Sequence, residues 1–132
     1  HRADKLWEHT CFEVFLRRPG DPGYVEFNFS PSGTWAAYRF ASQRRGVANL
    51  ETFTDMPMTL DTGMSSIALG VTLDLSSLPE LAGGGPWSMG ISTIIEEGNG
   101  RKSYWALAHP QGKADFHHPD SFATQLAPVD AT

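Results

Sequence analysis

Basic clusters, long apolar runs and cysteine pairs are missing from this sequence, and each absence excludes a class of protein. The 132 residues carry a net charge of −5, and the densest basic group is Arg44-Arg45, so the patch that nucleic acid needs to displace its counterions is not there. No apolar run reaches the roughly 18 residues of a membrane span. The single cysteine, Cys11, excludes an internal disulfide framework. With no signal peptide visible after His1, these features favour a cytoplasmic location.

Amphipathic helical stretches of about ten residues or more are missing as well. Thirteen Gly and nine Pro interrupt the chain instead, and between them apolar and polar residues alternate with the two-residue period of a strand. This pattern predicts an all-β fold, an antiparallel β-sandwich of jelly-roll or immunoglobulin-like two-sheet architecture, over residues 1–132 as a single domain. Eight Phe, four Trp and three Tyr provide the bulk for its core.

The alternating runs predict about seven or eight short, mostly antiparallel strands. These are expected at residues 10–17, 24–30, 34–40, 50–53, 65–75, 87–97, 102–109 and 121–126. Residues 1–9 are predicted to be a loop, and residues 41–60 are the least regular part apart from the short strand at 50–53.

The segment of residues 24–40 is the clearest of these patterns. Tyr24, Glu26 and Asn28 point one way, whereas the residues between them are apolar and point the other way. The Pro31-Ser32-Gly33 turn then leads into a return strand. The sequence therefore predicts a β-hairpin with a line of hydrogen-bonding groups along one face.

The order of five sequence blocks resembles the DOMON-like β-sandwich domains, and within them the bacterial branch related to family 9 carbohydrate-binding modules. The blocks read LWEHTCFEVFL, YVEFNFSPSGTWAAYRF, WSMGISTIIEE, SYWALAH and DFHHPDSF, and the resemblance covers about residues 5–126. It implies a ligand-binding sandwich, since known members bind sugars or haem and some stand beside enzymes as modules. Such domains usually begin with a strand upstream of the Trp block, and none precedes Trp7 here, so the resemblance implies an N-terminal strand that this chain lacks.

Polar residues on neighbouring predicted strands form the candidate ligand site. Carboxylates, amides and guanidinium groups can hold vicinal hydroxyls with paired hydrogen bonds, which favours a small polar ligand such as a saccharide. An indole can pack on the apolar face of a sugar ring, and Trp7 lies in a polar segment where burial does not already explain it. The predicted ligand-binding residues are Trp7, His9, Glu13, Glu26, Asn28, Arg39, Trp105 and His109. Because Tyr104 and Trp105 point to opposite faces of a strand, at most one of them can share a groove with Glu26.

Several alternatives remain open beside non-catalytic binding. Glu13 and Glu26 are two carboxylates that a small glycoside hydrolase could use, and a histidine opposite a methionine would suit a haem-binding domain. A structural or interaction domain without a small ligand is a further alternative. No catalytic residue, metal site or cofactor is predicted, since metal-ligand spacings and the C-x-x-C-H motif are missing. Cys11 is expected to be a buried, inert thiol, and the oligomeric state is left open.

Overall fold

A computed structural model describes residues 1–51, 53, 55–75, 78–81, 85–106 and 115–126. Within these ranges the chain forms nine strands and three short 3-10 helices. The strands are β1 (Cys11–Arg17), β2 (Tyr24–Phe29), β3 (Trp35–Phe40), β4 (Ala48–Asn49), β5 (Met58–Thr62), β6 (Ile67–Val71), β7 (Trp87–Glu96), β8 (Lys102–Ala106) and β9 (Thr124–Leu126). The 3-10 helices are Leu6–Glu8, Pro79–Leu81 and Pro119–Ser121. No helix in the described ranges is long and apolar enough to cross a membrane.

The strands form two antiparallel sheets that pack together as a β-sandwich, which confirms the predicted fold class. The large sheet has the strand order β4-β3-β2-β1-β7-β8, and β9 pairs with the start of β7; β5 and β6 form the second sheet. Phe15 pairs with Glu26 across β1 and β2, and Glu26 pairs with Tyr38 across β2 and β3. Directly paired residues point to the same face of a sheet, so this register decides which side chains can meet.

One face of the large sheet carries the main hydrophobic core. Val25, Phe27 and Phe29 point into it from β2, and Met58, Leu69 and Val71 of the small sheet pack against it from the other side. These apolar side chains alternate along β2 as a strand with one apolar face requires. Their burial provides most of the hydrophobic stabilisation.

The opposite face of the large sheet is also covered. A second apolar cluster of Phe15, Tyr24, Ile94 and Phe116 forms there, where the segment of residues 115–122 lies against β1, β2 and β7. The 3-10 helix Leu6–Glu8 contacts β1 and β2. As a result, every residue of β2 is buried, including the polar ones.

The sequence located most strands within a few residues and missed one. β5 lies in the stretch predicted to be irregular, where Pro57 and Asp61 weaken the strand pattern. The short strand predicted at 50–53 is replaced by β4 at Ala48–Asn49, and the predicted start of the last strand is taken by the helix Pro119–Ser121. The last residues of the strand predicted at 102–109, residues 107–109, lie outside the described residues.

Candidate functional site

A cavity of about 420 Å³ lies on the second face of the large sheet. Its lining residues come from β1, β2, β3, β7, β8, the loop after β3, the first 3-10 helix and the segment around His117. They are Trp7, Glu13, Glu26, Tyr38, Phe40, Arg44, Val47, Ile94, Tyr104, Phe116 and His117. The wall is therefore mainly aromatic and aliphatic, with two carboxyl groups among it. This composition is typical of small-molecule sites.

The carboxyl groups of Glu13 and Glu26 form a buried pair at the cavity. Glu26 is diagonal to Glu13 across β1 and β2, a spacing that long side chains can bridge, and the two carboxyl groups are within hydrogen-bonding reach of each other. Only 4% of Glu13 and 3% of Glu26 is exposed. Two carboxyl groups in contact, away from water, share a proton more readily than they ionise together.

Burial is the main reason that both groups resist ionisation. It raises the pKa of Glu13, while the hydrogen bond with Glu26 and the nearby Ser92 hydroxyl work in the other direction. Burial also raises the pKa of Glu26 well above its ordinary value, and the neighbouring Glu13 carboxyl raises it further. Raised carboxyl pKa values of this kind are common at functional sites.

Part of this polar face is buried without hydrogen-bond partners. Within the described residues, Oε2 of Glu13 and both amide atoms of Asn28 make no hydrogen bond of good geometry, although the Asn28 amide lies near the Glu26 carboxyl. Asn28 is paired with Glu13 in the sheet and is completely buried. A buried polar atom without a partner costs about 1–3 kcal/mol, so this arrangement needs an explanation.

Tyr24 and His117 are hydrogen-bonded to each other beside the carboxyl pair. The Tyr24 hydroxyl accepts a hydrogen bond from the Arg44 backbone N–H at 3.0 Å and lies 2.6 Å from Nδ1 of His117. Either the hydroxyl donates to Nδ1, which puts the proton of a neutral His117 on Nε2, or Nδ1–H donates to the hydroxyl. Nε2 lies 3.7 Å from Oε1 of Glu26, beyond hydrogen-bond distance. In the first tautomer His117 turns an N–H toward the carboxyl pair.

The surroundings of His117 keep its ring neutral. Burial among the rings of Phe15, Tyr24 and Phe40, together with the Arg44 charge and against the opposing effect of Asp115, lowers its pKa to about 4. Burial likewise raises the pKa of Tyr24 to about 12. Both groups thus stay uncharged near neutral pH.

Arg44 is the cationic side chain of the cavity wall, and Asp115 neutralises it. Its Nη2 and Nε donate to Oδ1 of Asp115 at 2.8 and 3.3 Å. Partial burial opposes ionisation of Asp115, but the hydrogen bond and charge of Arg44 lower its pKa. Arg44 has a left-handed backbone with φ of 56°, a conformation that a non-glycine residue adopts at some cost.

Aromatic rings border the open side of the cavity. Trp7 is 44% exposed and meets Tyr38 edge to face, with ring centroids 6.4 Å apart. The Tyr38 hydroxyl donates to Oδ1 of Asp4 at 2.8 Å. Tyr104 on β8, half exposed, lies near Phe116 with ring centroids 6.2 Å apart. These rings offer flat apolar surfaces beside the carboxyl pair.

The structure brings together some of the residues predicted for the site. Trp7, Glu13 and Glu26 line the cavity as expected. Asn28 lies on the same face of the sheet but is not part of the cavity wall. Its contact with a ligand stays a prediction.

Other predicted residues lie elsewhere. Arg39 pairs with Val25 and is on the core face of the sheet, so the expectation that it faces Glu26 is wrong; Tyr38 is in that place. Trp105 is also on the other face, where it is 61% exposed, and Tyr104 lines the cavity instead. His9 is exposed and contacts Glu96 at 3.1 Å outside the cavity wall. His109 lies outside the described residues.

The sequence did not identify several cavity residues, and register explains part of this. The turn of residues 30–34 pairs Phe29 with Trp35, which places even-numbered residues of β2 and β3 on one face. A turn shorter by one residue would have put Arg39 opposite Glu26, since a slip of one residue flips a strand. The number of residues in the turn thus indicates that Tyr38 and Phe40 face the cavity, whereas no feature of the local sequence indicates His117.

Two remaining features of the site concern metal and thiol chemistry. Among the described residues, no group of three or more His, Cys, Asp or Glu side chains is placed to hold a metal ion. Cys11 is buried on the same sheet face, and burial and the charges of Glu13 and Glu26 raise its pKa far above the ordinary value. A thiol in this state is a poor nucleophile.

No protein-family model, curated protein or solved structure matches this chain. The DOMON-like resemblance therefore stays a prediction.

Proposed function

We propose that this chain is a non-catalytic ligand-binding domain and that its ligand is a small polar molecule, a saccharide, held in the cavity beside Glu13 and Glu26. The observation that carries the proposal is the Glu13 carboxyl. It lies on the cavity wall, is 4% exposed, and has an oxygen without a hydrogen-bond partner in the described part of the chain. That oxygen is enclosed, and the Ser92 hydroxyl lies near the same carboxyl. A ligand hydroxyl that reaches the Glu13–Glu26 pair from the cavity would offset part of the cost of burying the pair.

The aromatic rim supports a saccharide. Sugar rings have an apolar C–H face and a polar edge, and Trp7 and Tyr104 provide exposed rings at the cavity opening. A carboxyl pair that shares one proton can both accept and donate hydrogen bonds, as vicinal hydroxyls require. The volume of about 420 Å³ is within the usual range for small-molecule sites.

The carboxyl geometry favours binding over glycoside hydrolysis. Hydrolases keep their two carboxyl groups about 5–9.5 Å apart, so that the scissile bond or a water fits between them. Glu13 and Glu26 are within hydrogen-bonding reach of each other, which leaves no such space. Haem ligation is not favoured at His117, since Nδ1 is bound to Tyr24 and Nε2 faces Glu26.

Titration calorimetry with mono- and disaccharides, chosen from a glycan array, tests the proposal. Trp7→Ala should weaken binding about tenfold, because losing one aromatic contact costs about 0.5–1.5 kcal/mol. Trp105→Ala is the matched control, since this exposed tryptophan lies on the other face, and it should leave affinity unchanged. If no saccharide binds, or if both variants lose affinity equally, the proposal is wrong.

Chromogenic glycosides provide the second assay. No turnover is expected with the native protein. Turnover that disappears in both Glu13→Gln and Glu26→Gln would replace binding with hydrolysis as the function.

A further inference from the structure

The charges around the cavity suggest which saccharides it takes, on the basis of the proposed function. The titratable and charged groups around the carboxyl pair come from several parts of the chain. They are Asp4, Cys11, Tyr24, Tyr38, Arg44, Tyr104, Asp115 and His117. Arg44 and Asp115 form an ion pair with each other, and burial keeps Cys11, Tyr24, Tyr38 and His117 uncharged near neutral pH. Asp4 accepts from the Tyr38 hydroxyl and is not part of the cavity wall, so the charge within the cavity is set by Glu13 and Glu26.

His117 lies beside the pair and can support an ionised carboxyl. Its Nε2 is 3.7 Å from Oε1 of Glu26, and it carries a proton in the tautomer in which the Tyr24 hydroxyl donates to Nδ1. An N–H directed at a carboxylate stabilises its negative charge. Glu13 lies on the cavity wall beside Glu26, and its carboxyl is near the Ser92 hydroxyl. The pair thus offers acceptors to a donor-rich group.

The walls are suited to a cation as well. Five aromatic side chains surround the carboxyl pair: Trp7, Tyr38, Phe40, Tyr104 and Phe116. The faces of such rings attract ammonium groups, by about 0.5–2 kcal/mol depending on desolvation. A neutral sugar would gain from the rings but would leave the negative charge of an ionised pair uncompensated.

We infer that the cavity prefers an amino sugar, whose protonated amine lies against the carboxyl groups of Glu13 and Glu26 while its ring packs among the aromatic side chains. An ammonium group donates three hydrogen bonds, enough to serve the carboxyl groups of Glu13 and Glu26 together. Its charge favours the ionised form of both carboxyl groups. Binding therefore expels a proton that the empty pair holds, whereas binding of a neutral sugar does not.

Calorimetry with three matched monosaccharides, glucosamine, glucose and N-acetylglucosamine, tests this inference. If these are too weak to measure, their β-1,4-linked disaccharides replace them. At pH 7 the amino sugar should bind at least tenfold more tightly than the other two. Titrations in phosphate and in MOPS, which differ in ionisation enthalpy, should show proton release with the amino sugar alone. The preference should fall above about pH 8 as the amine loses its proton.

Variants locate the effect. Glu26→Gln keeps the side-chain shape and should abolish both the preference and the proton release, whereas Glu97→Gln, an exposed carboxylate at the end of β7, should keep both. If Glu26→Gln does not fold, as judged by near-ultraviolet circular dichroism, Glu13→Gln and the pH series on the native protein serve the same purpose.

The possible failures are distinguishable. Equal affinity for amino and neutral sugars, without proton release, overturns this inference and leaves the proposed function in place. Binding of none of the saccharides overturns both. A preference for glucosamine that persists in Glu26→Gln and Glu13→Gln also contradicts the inference, because the amine would then lie elsewhere.

Discussion

The two faces of β2 are equally buried but differ completely in chemistry. Val25, Phe27 and Phe29 point into the main core, whereas Glu26 and Asn28 point to the cavity side. The apolar face is what any sandwich needs. The polar face includes carboxyl and amide atoms whose burial is unfavourable, so folding alone does not explain it, and the proposed ligand binding would. Substitutions on one face should therefore change stability in ways that substitutions on the other do not.

The largest expected effect is on the core face. Phe27→Ala should reduce the free energy of unfolding by about 3–5 kcal/mol, because it leaves a cavity between tightly packed layers. Phe40→Ala, on the other face beside the open cavity, should cost clearly less. Urea denaturation of both variants measures the difference. Equal losses would mean that the two faces are packed alike.

His117 should dominate the response to acid. Its pKa in the folded protein is about 4, against an ordinary 6.5, so below pH 6.5 the unfolded chain binds a proton that the folded chain does not. Above pH 6.5 this group does not change the free energy of unfolding. As the pH falls from 6.5 to about 4, it lowers the free energy of unfolding by on the order of 3 kcal/mol. The free energy of unfolding of His117→Gln, taken relative to that of the native protein, should therefore be about 3 kcal/mol higher at pH 4 than at pH 7.5. Urea denaturation at both pH values tests this, and a difference independent of pH would contradict it.

Glu26 should act in the opposite direction. Its pKa in the folded protein is raised well above the ordinary value of 4.5, so the folded state keeps a proton that the unfolded state has released. Stability therefore falls as pH rises from about 4.5 through the raised pKa. Glu26→Gln removes this loss, so its stability relative to the native protein should be greater at pH 8 than near pH 4. Thermal unfolding of Glu26→Gln and the native protein at pH 4 and pH 8 measures this difference, with Glu97→Gln as the control.

The smallest expected effect concerns Cys11. Because the thiol is buried and its pKa is raised far above the ordinary value, a thiol reagent such as DTNB should not label it in the native protein at pH 8. Labelling should appear in urea at the rate of unfolding. Rapid labelling of the native protein would mean that the cavity face opens locally.

The sequence predicted the fold better than the site, for physical reasons. Alternation along β1, β2 and β7 reports one buried face, and that local signal is sufficient for an all-β sandwich. Glu13 and Glu26 were found because polar residues interrupt the apolar pattern at two-residue spacing. Strand register determines the side of the sheet on which Arg39 and Trp105 lie, and the length of the turn sets that register.

His117 shows the limit of such reasoning. Its partner Tyr24 is 93 residues away in sequence, and the two meet because the segment of residues 115–122 folds back over the sheet. A hydrogen bond inside the turn, from the His117 backbone N–H to Oδ1 of Asp115 at 3.1 Å, holds the ring in place. No local pattern predicts a contact of this kind.

The central position of β2 also determines how the molecule opens. β2 is hydrogen-bonded on both sides, to β1 and β3, and covered on both faces, so its amide hydrogens can exchange with solvent only when most of the sheet separates. β5 and β6 pair with each other alone among the described strands, and Leu60 and Ile67 on them are exposed. Their amides should exchange through small local fluctuations, minutes to hours sooner than those of β2. Among the described strands, the one that holds Glu26 should thus be the last to lose its shape, and a ligand bound as proposed would meet an acidic group that is already in place.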